Sequence, residues 1–210
     1  MSWRLITAPT VTPVDVSTAK EHERISINDA AEDLLIQNQL FAATRLAEEF
    51  TRRAFVTQTW ELRTTKIAPI MEIPRPPLLE IIPNSDDPME PGYGSMVFTD
   101  WNDVEYVIAT DTWFTDTVDE PGHLIFKSNA NLPYGFPWIG WGDYPGGYLT
   151  IKFIAGYGDD EDASIAALPW EIKVGILQIF GFLYQNREGQ PIPCGSMAHT
   201  LLSPFVVDYL

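Results

Sequence analysis

The side chains best suited to catalysis or metal binding are three histidines and one cysteine. His22, His123 and His199 are far apart in the sequence, and Cys194 is the single cysteine. Protein zinc sites usually take their ligands from closely spaced pairs of cysteine and histidine. The pattern therefore predicts no metal site, no bound cofactor and no cysteine nucleophile.

Carboxylates and glycines also lack the spacing of a known site. Four acidic residues follow one another at 159–162, but calcium loops alternate their ligands, contain a central glycine and close on a glutamate. The glycines at 92–94 and 156–158 lack the GxxxxGK[ST] and GxGxxG spacing of phosphate-binding loops, and there is no GxSxG motif. We expect the protein not to be an enzyme.

Residues 132–148 alternate aromatic side chains with glycine and proline, so they cannot form a regular helix. Three interpretations of this aromatic loop are open. Its side chains can pack on their own domain, form an interface with a protein partner, or stack on sugars as in a carbohydrate-binding module.

The chain carries 29 acidic and 13 basic residues, a net charge of −16. Such a surface repels polyanions, and few lysines or arginines are available to neutralise phosphates. We therefore expect the protein not to bind nucleic acid tightly. DNA can still pass along a surface of the same charge without binding to it. The N-terminus lacks the pattern of a signal peptide, and a single cysteine fits a reducing cytoplasm.

Helices are predicted towards both ends of the chain, after an extended arm over 1–16. Helical spacing indicates a short helix over 18–24, capped by Ser17, and a long helix over 29–53. Further helices are expected from Pro169 to residue 186 or 187, and over 196–203. The largely apolar face of the helix over 29–53 is predicted to comprise Leu34, Leu35, Asn38, Phe41, Ala42, Arg45, Leu46 and Glu49.

The segment LPWEIKVGILQIFGFLYQNREGQ, at 168–190, is apolar enough to suggest a membrane anchor. A membrane span needs about 20 largely uncharged residues, and polar residues interrupt this one, so we expect a helix outside any membrane. One stripe is expected to pack against the helix over 29–53, and a second face needs another partner. The first stripe comprises Ile172, Ile176, Ile179, Phe180 and Leu183, and the second face comprises Val174, Leu177 and Phe182.

The region between the helices has the alternation and the β-branched residues of strands. Strands are predicted over 54–64, 73–82, 95–100, 104–109, 122–126 and 148–155. The prolines of 73–82 indicate a sheet edge or a loop crossing and not a central strand. The order predicts an α+β fold, a small bundle of N- and C-terminal helices with a central β-rich insertion. We divide this single structural unit into 1–53 (arm and first helices), 54–157 (insertion) and 158–210 (last helices and tail).

Five segments together resemble one protein family, in the family's own order. They are PVDVSTAKEHERI (13–25), ATRLAEEFTRRAFVTQTWEL (43–62), IPRPPLLEI (73–81), IKFIAGYG (151–158) and LPWEIKVGILQIFGFLYQNRE (168–188). The sequence resembles the head-to-tail connector, or adaptor, proteins of long-tailed bacteriophages, prophages and gene transfer agents. Acidic inserts at 84–94 and 132–147 depart from the family's pattern.

The resemblance implies a structural protein of the virion neck, assembled in the host cytoplasm and without catalytic activity. It implies a homo-oligomeric ring of about twelve copies beneath the portal protein. DNA would pass through the channel of this ring without sequence-specific binding, and a stopper or tail-completion protein would lie below. The alternative function is a carbohydrate-binding module that uses the loop 134–148.

Three candidate surfaces follow from this interpretation. Portal docking is assigned to the C-terminal tail, which can alternatively cover the helical bundle of its own subunit. The tail residues assigned to docking are Leu201, Leu202, Pro204, Phe205, Val206, Val207, Tyr209 and Leu210. Contacts between subunits are assigned to Val174, Leu177, Phe182, Arg45, Arg52 and Arg53, although the arginines can equally neutralise the ends of their own helices. Contacts with the tail are assigned to Trp138, Trp141 and Tyr144.

Overall fold

The computed structural model describes residues 1–83, 94–127, 147–186 and 196–208. The chain divides into two compact units, Met1–Ala8 with Gln58–Gly156 and Pro9–Thr57 with Tyr157–Leu210. We call them the sheet unit and the helical unit. The α+β class predicted from the sequence is confirmed, because the first unit is built of strands and the second of helices.

The described part of the helical unit contains five α-helices. They are α1 (Val16–His22), α2 (Asp33–Thr51), α3 (Glu161–Ala167), α4 (Trp170–Gln185) and α5 (Met197–Leu202), and a 3-10 turn follows at Ser203–Phe205. Helix α3 begins within the run of four acidic residues at 159–162. It forms because the Asp160 side chain accepts a hydrogen bond from the Ala163 N–H at 2.7 Å, which caps the first turn.

The described part of the sheet unit contains nine strands in two antiparallel sheets. They are β1 (Ser2–Thr7), β2 (Gln58–Thr64), β3 (Ile70–Glu72), β4 (Leu78–Ile81), β5 (Met96–Thr99), β6 (Glu105–Val107), β7 (Trp113–Asp116), β8 (His123–Phe126) and β9 (Tyr148–Ala155). The larger sheet has the order β1-β2-β9-β5-β6, and β4 also pairs with β9. The smaller sheet has the order β3-β8-β7.

Strand β9 is the centre of the larger sheet, and its bounds are those predicted from the sequence. Leu149, Ile151, Phe153 and Ala155 are buried, and the residues between them are half-buried. This alternation places every second side chain in the core, beside Trp60 of the neighbouring strand β2. The period of two is therefore a direct consequence of burial on one face.

The N-terminal arm belongs to a different unit from the one expected. We grouped residues 1–53 with the helices, but residues 1–8 lie in the sheet unit, since β1 pairs with β2 from Ser2 opposite Arg63 to Thr7 opposite Thr59. Short strands at sheet edges carry a weak hydrophobic alternation. The burial of β1 is correspondingly low, and only Leu5 is half-buried.

Both N-terminal helices begin at residues other than those predicted. The N-cap of α1 is Asp15 and not Ser17, because the Asp15 carboxylate accepts the Thr18 N–H at 2.6 Å and the Ser17 hydroxyl donates to it at 2.9 Å. Helix α2 starts at Asp33 and not at residue 29. The buried Lys20 ammonium donates to the Asp29 carbonyl at 2.7 Å, which holds the preceding loop outside the helix.

Replacing Asp15 by Ala is expected to lower the melting temperature at pH 7, since removal of an N-cap costs about 0.5–2 kcal/mol. The Thr18 N–H bond holds the pKa of Asp15 below its usual value. This stabilisation is present above the unfolded-state pKa and is lost as the pH falls through the folded-state pKa. Thermal melts from pH 7 to pH 2 should show the difference from wild type shrinking at the acidic end. Asp119→Ala, at an exposed position, is the control, and a constant difference across this range would contradict the capping role.

The predicted apolar face of α2 is the wrong face. The buried residues are Ile36, Leu40, Ala43, Thr44, Ala47, Glu48 and Thr51, whereas Leu34, Leu35, Ala42 and Leu46 are exposed. Three of the buried side chains are polar and form hydrogen bonds inside the unit. Thr44 and Thr51 donate to the carbonyls of Leu40 and Ala47 at 2.8 Å, and Glu48 accepts the Phe55 N–H at 2.9 Å. These bonds satisfy the polar groups and so permit their burial.

Helix α4 presents the predicted stripe to the core. Ile172, Ile176, Ile179 and Phe180 are buried in the same cluster as Ile36 and Leu40 of α2, and Leu183 packs at its edge. The pairing of the two long helices, expected from the apolar stripe of α4, is confirmed. Gly175 permits a close approach of α5, because a Cβ at this position would lie 2.9 Å from a methyl carbon of Leu202.

Candidate interaction surfaces

Among the described residues, no group of three His, Cys, Asp or Glu side chains could hold a metal ion. The His22 ring lies 3.8 Å from the Glu23 carboxylate, and the His199 ring packs against Phe50 with centroids 4.4 Å apart. His123 lies in β8. The three histidines thus occupy separate places, and the candidate functional features are surfaces.

The outward-facing side of α4 was predicted to contact a neighbouring subunit. Val174 lies on this side and is 39% exposed. Leu177 instead packs against the edge of the core, and Phe182 lines a groove of about 270 Å³ together with His22 and Glu23. Sequence reasoning missed Trp170, which is 75% exposed one helical turn before Val174. Its spacing of four residues from Val174 was the available signal.

The three arginines predicted at the subunit interface all have partners within the helical unit. Arg45 forms ion pairs with Glu48 at 3.3 Å and Glu49 at 3.0 Å. The Arg53 Nε donates to the Phe205 carbonyl at 2.7 Å, and the Arg52 guanidinium donates to the Val207 carbonyl at 3.4 Å. These partners are acidic side chains of α2 and backbone carbonyls of the C-terminal segment.

The C-terminal tail, predicted to dock into the portal, lies against the end of α2. Leu202 and Val207 are buried, and the Val207 N–H donates to the Thr51 carbonyl at 3.0 Å. These two residues therefore belong to the core of their own unit, and the docking assignment for the tail stays a prediction. Leu201, Phe205 and Val206 are half-buried and Pro204 is exposed, while Tyr209 and Leu210 lie outside the described residues.

The aromatic residues Trp138, Trp141 and Tyr144, assigned to a contact with the tail, lie outside the described residues. The edge strand β1 carries two exposed apolar side chains, Trp3 and Ile6. Edge strands with exposed apolar side chains are typical places for pairing with another chain.

No single helix among the described residues is long and apolar enough to cross a membrane. Helices α3 and α4 reach the required length and composition only when taken as a pair, and they are bent by 100° relative to each other.

Three structures of gene transfer agent particles contain chains similar to this one over its whole length. In the neck of an empty particle, computed with C6 symmetry, the similar chain is 22% identical with a TM-score of 0.71. In the virion of a native particle the values are 22% and 0.70, and in the neck of a native particle, computed with C12 symmetry, they are 21% and 0.65. Each match covers 100% of this chain and 98% of the other.

This likeness shows a shared fold that includes both the helical and the sheet unit. No protein-family model matches the sequence, and a comparison with curated proteins finds no match. The matched chains are components of a virion, and two of the three structures are of the neck.

Proposed function

We propose that this protein is a structural adaptor at the head–tail junction of a tailed bacteriophage or gene transfer agent. It forms a ring beneath the portal protein, lets DNA pass, and joins the head to a stopper or tail-completion protein. The observation that carries this proposal is the full-length likeness to chains of gene transfer agent particles, at TM-scores of 0.65–0.71. The five sequence segments that resemble the connector family support the same function.

The ring is supported by the symmetry of the similar necks, which were computed with C6 and C12 symmetry. We propose about twelve copies, arranged by a closed rotation as in other symmetric oligomers. The net charge of −16 per chain is consistent with such a ring, because an acidic channel surface repels DNA and prevents it from binding during passage. The protein would act in the virion neck, after assembly in the host cytoplasm, and its role would not be enzymatic.

The portal contact is proposed for the surface of the C-terminal tail that the helical unit leaves accessible. Pro204 is exposed, and Phe205 and Val206 are half-buried. Arg53 fixes the backbone of this segment through the Phe205 carbonyl. A segment held in this way loses little conformational entropy on binding, which favours docking of its apolar side chains. Tyr209 and Leu210, which were assigned to the same contact, lie outside the described residues.

A chain that ends at Leu202 is expected to fold and to fail to join heads to tails. The deletion removes the proposed docking side chains, and it also removes the buried Val207, so we expect a moderately lower melting temperature. Val206→Glu in the full chain separates the two effects, because it leaves Val207 and the Arg53 bond in place. Electron microscopy of particles should show unjoined heads for both variants. Val104→Glu, at an exposed site in the sheet unit, is the control. Normal joining by both variants would refute docking through this tail.

The function as a whole is tested by deleting the gene in the producing cell. The expected result is filled or empty heads and free tails, with joining restored when the gene is supplied again. Fully joined particles without the gene would overturn the proposal. The carbohydrate-binding alternative rests on Trp138 and Trp141, which lie outside the described residues, and no described feature favours it.

A further inference from the structure

Each of the two long helices has a second apolar stripe that is not used in the core of its own unit. On α2 this stripe comprises Leu35, Ala42 and Leu46, and the two leucines are 39% and 44% exposed. On α4 it comprises Trp170 and Val174. We call these the α2 outer stripe and the α4 outer stripe. Scattered exposed apolar residues are ordinary, but rows at helical spacing are typical of contacts with a second helix.

Neither outer stripe belongs to the core that the two helices share. Helices α2 and α4 pack together through their buried faces, with Leu40 and Ala43 of α2 in the same cluster as Ile176 and Phe180 of α4. Side chains three, four or seven positions apart share one side of a helix. The α2 outer stripe is therefore on the far side of its helix from the shared core. On α4 the exposed apolar side is confined to the first two turns, because Leu177, three positions after Val174, packs against the core.

Each outer stripe has both a basic and an acidic side chain beside it. Beside the α2 outer stripe, Arg45 forms ion pairs with Glu48 at 3.3 Å and with Glu49 at 3.0 Å. Beside the α4 outer stripe, Glu171 is exposed and the Lys173 ammonium lies 4.6 Å from the centroid of the Trp170 ring. Two copies that each carry a charge of −16 repel one another. They repel one another less where basic side chains lie beside the acidic ones.

We propose that the α2 outer stripe of one copy packs against the α4 outer stripe of the next copy. This inference rests on the proposed ring function and names the surfaces that would build the ring. Two different patches on one subunit produce a head-to-tail contact, and repetition of such a contact closes a ring when the rotation allows it. A second copy of this chain is the occupant that fits, because one contact then covers both stripes of every subunit.

Cysteine pairs test this contact in the full chain. In a Cys194→Ser background, Leu46→Cys and Val174→Cys are introduced singly and together, and the purified proteins are oxidised mildly. The double variant should give a ladder of disulfide-linked multimers, enriched by about tenfold or more over either single variant, because a docked thiol pair has a high effective concentration. The pair Val118→Cys and Val174→Cys is the control, since Val118 lies in the sheet unit.

Two results would overturn the proposed contact. One is a double variant that forms no more multimer than the control pair. The other is a Leu46→Cys single variant that links as well as the double, since this indicates a two-fold contact of α2 with itself. The gene-deletion experiment tests the adaptor function independently of the disulfide ladder. If head-to-tail joining requires the gene but no ladder forms, the proposed contact is wrong and the adaptor function is still supported.

Discussion

A Phe180→Ala variant is expected to lose most of the stability of the helical unit. Phe180 is fully buried between α4 and its neighbours, and its ring lies 5.8 Å from the ring of Tyr184. Truncation of a buried phenylalanine costs about 3–5 kcal/mol, which combines the lost transfer free energy and the cavity left behind. Since whole domains are stable by about 5–15 kcal/mol, the loss is a large share of the total.

Urea denaturation, followed by circular dichroism of the helices, measures this loss. The matched control is Phe182→Ala, which makes the same change two residues further along α4, where the side chain is only half-buried beside a groove. We expect the control to lose clearly less stability. Equal losses for the two variants would show that α4 does not present this face to the core.

A Val174→Glu variant is expected to fold normally and to lose ring assembly. The side chain at this position reaches solvent in the single subunit, so a carboxylate there can remain hydrated. In the proposed contact it would lie against Leu46 and the other apolar side chains of the next copy. An unpaired charge in an interface costs about 2–5 kcal/mol, which weakens each contact by roughly 30-fold or more.

Thermal melts and the fraction of heads joined to tails, counted in electron micrographs, measure the two halves of this prediction. Val118→Glu provides the control, since it places the same charge on an exposed valine of the sheet unit, where Val118 is 89% exposed. We expect wild-type joining for Val118→Glu and few joined particles for Val174→Glu. Equal joining by the two variants would exclude the outer face of α4 from the ring contact.

The parts of the fold that could be predicted are those where one physical requirement dominates the local sequence. Strand β9 alternates buried and half-buried residues over its whole length, so its period defines both its type and its bounds. Helix α4 carries isoleucines at the spacing of one helical face, and it ends within two residues of the predicted position. Both elements are central to their units, where burial constrains each position strongly.

The predictions that failed concern choices between competing local interactions. Asp15 and Ser17 are both good N-caps, and only the position of the Thr18 N–H in the fold selects Asp15. The start of α2 depends on Lys20, whose ammonium binds the Asp29 carbonyl nine residues away. Strand β1 forms by pairing with β2, whose residues lie more than fifty positions further along the chain. Local periodicity carries no information about such partners.

The sequence by itself determined the α+β class, the strand β9, the core stripe of α4 and the strongly acidic character of the chain. Only the tertiary structure decided which side of α2 is buried, because this helix has apolar residues on both sides and the buried side also carries Thr44, Glu48 and Thr51. Hydrogen bonds to Leu40, Ala47 and Phe55 make that burial possible, and they exist only after the chain has folded. The same packing left Leu35 and Leu46 of α2 and Trp170 and Val174 of α4 exposed, an outcome that hydrophobic periodicity does not encode.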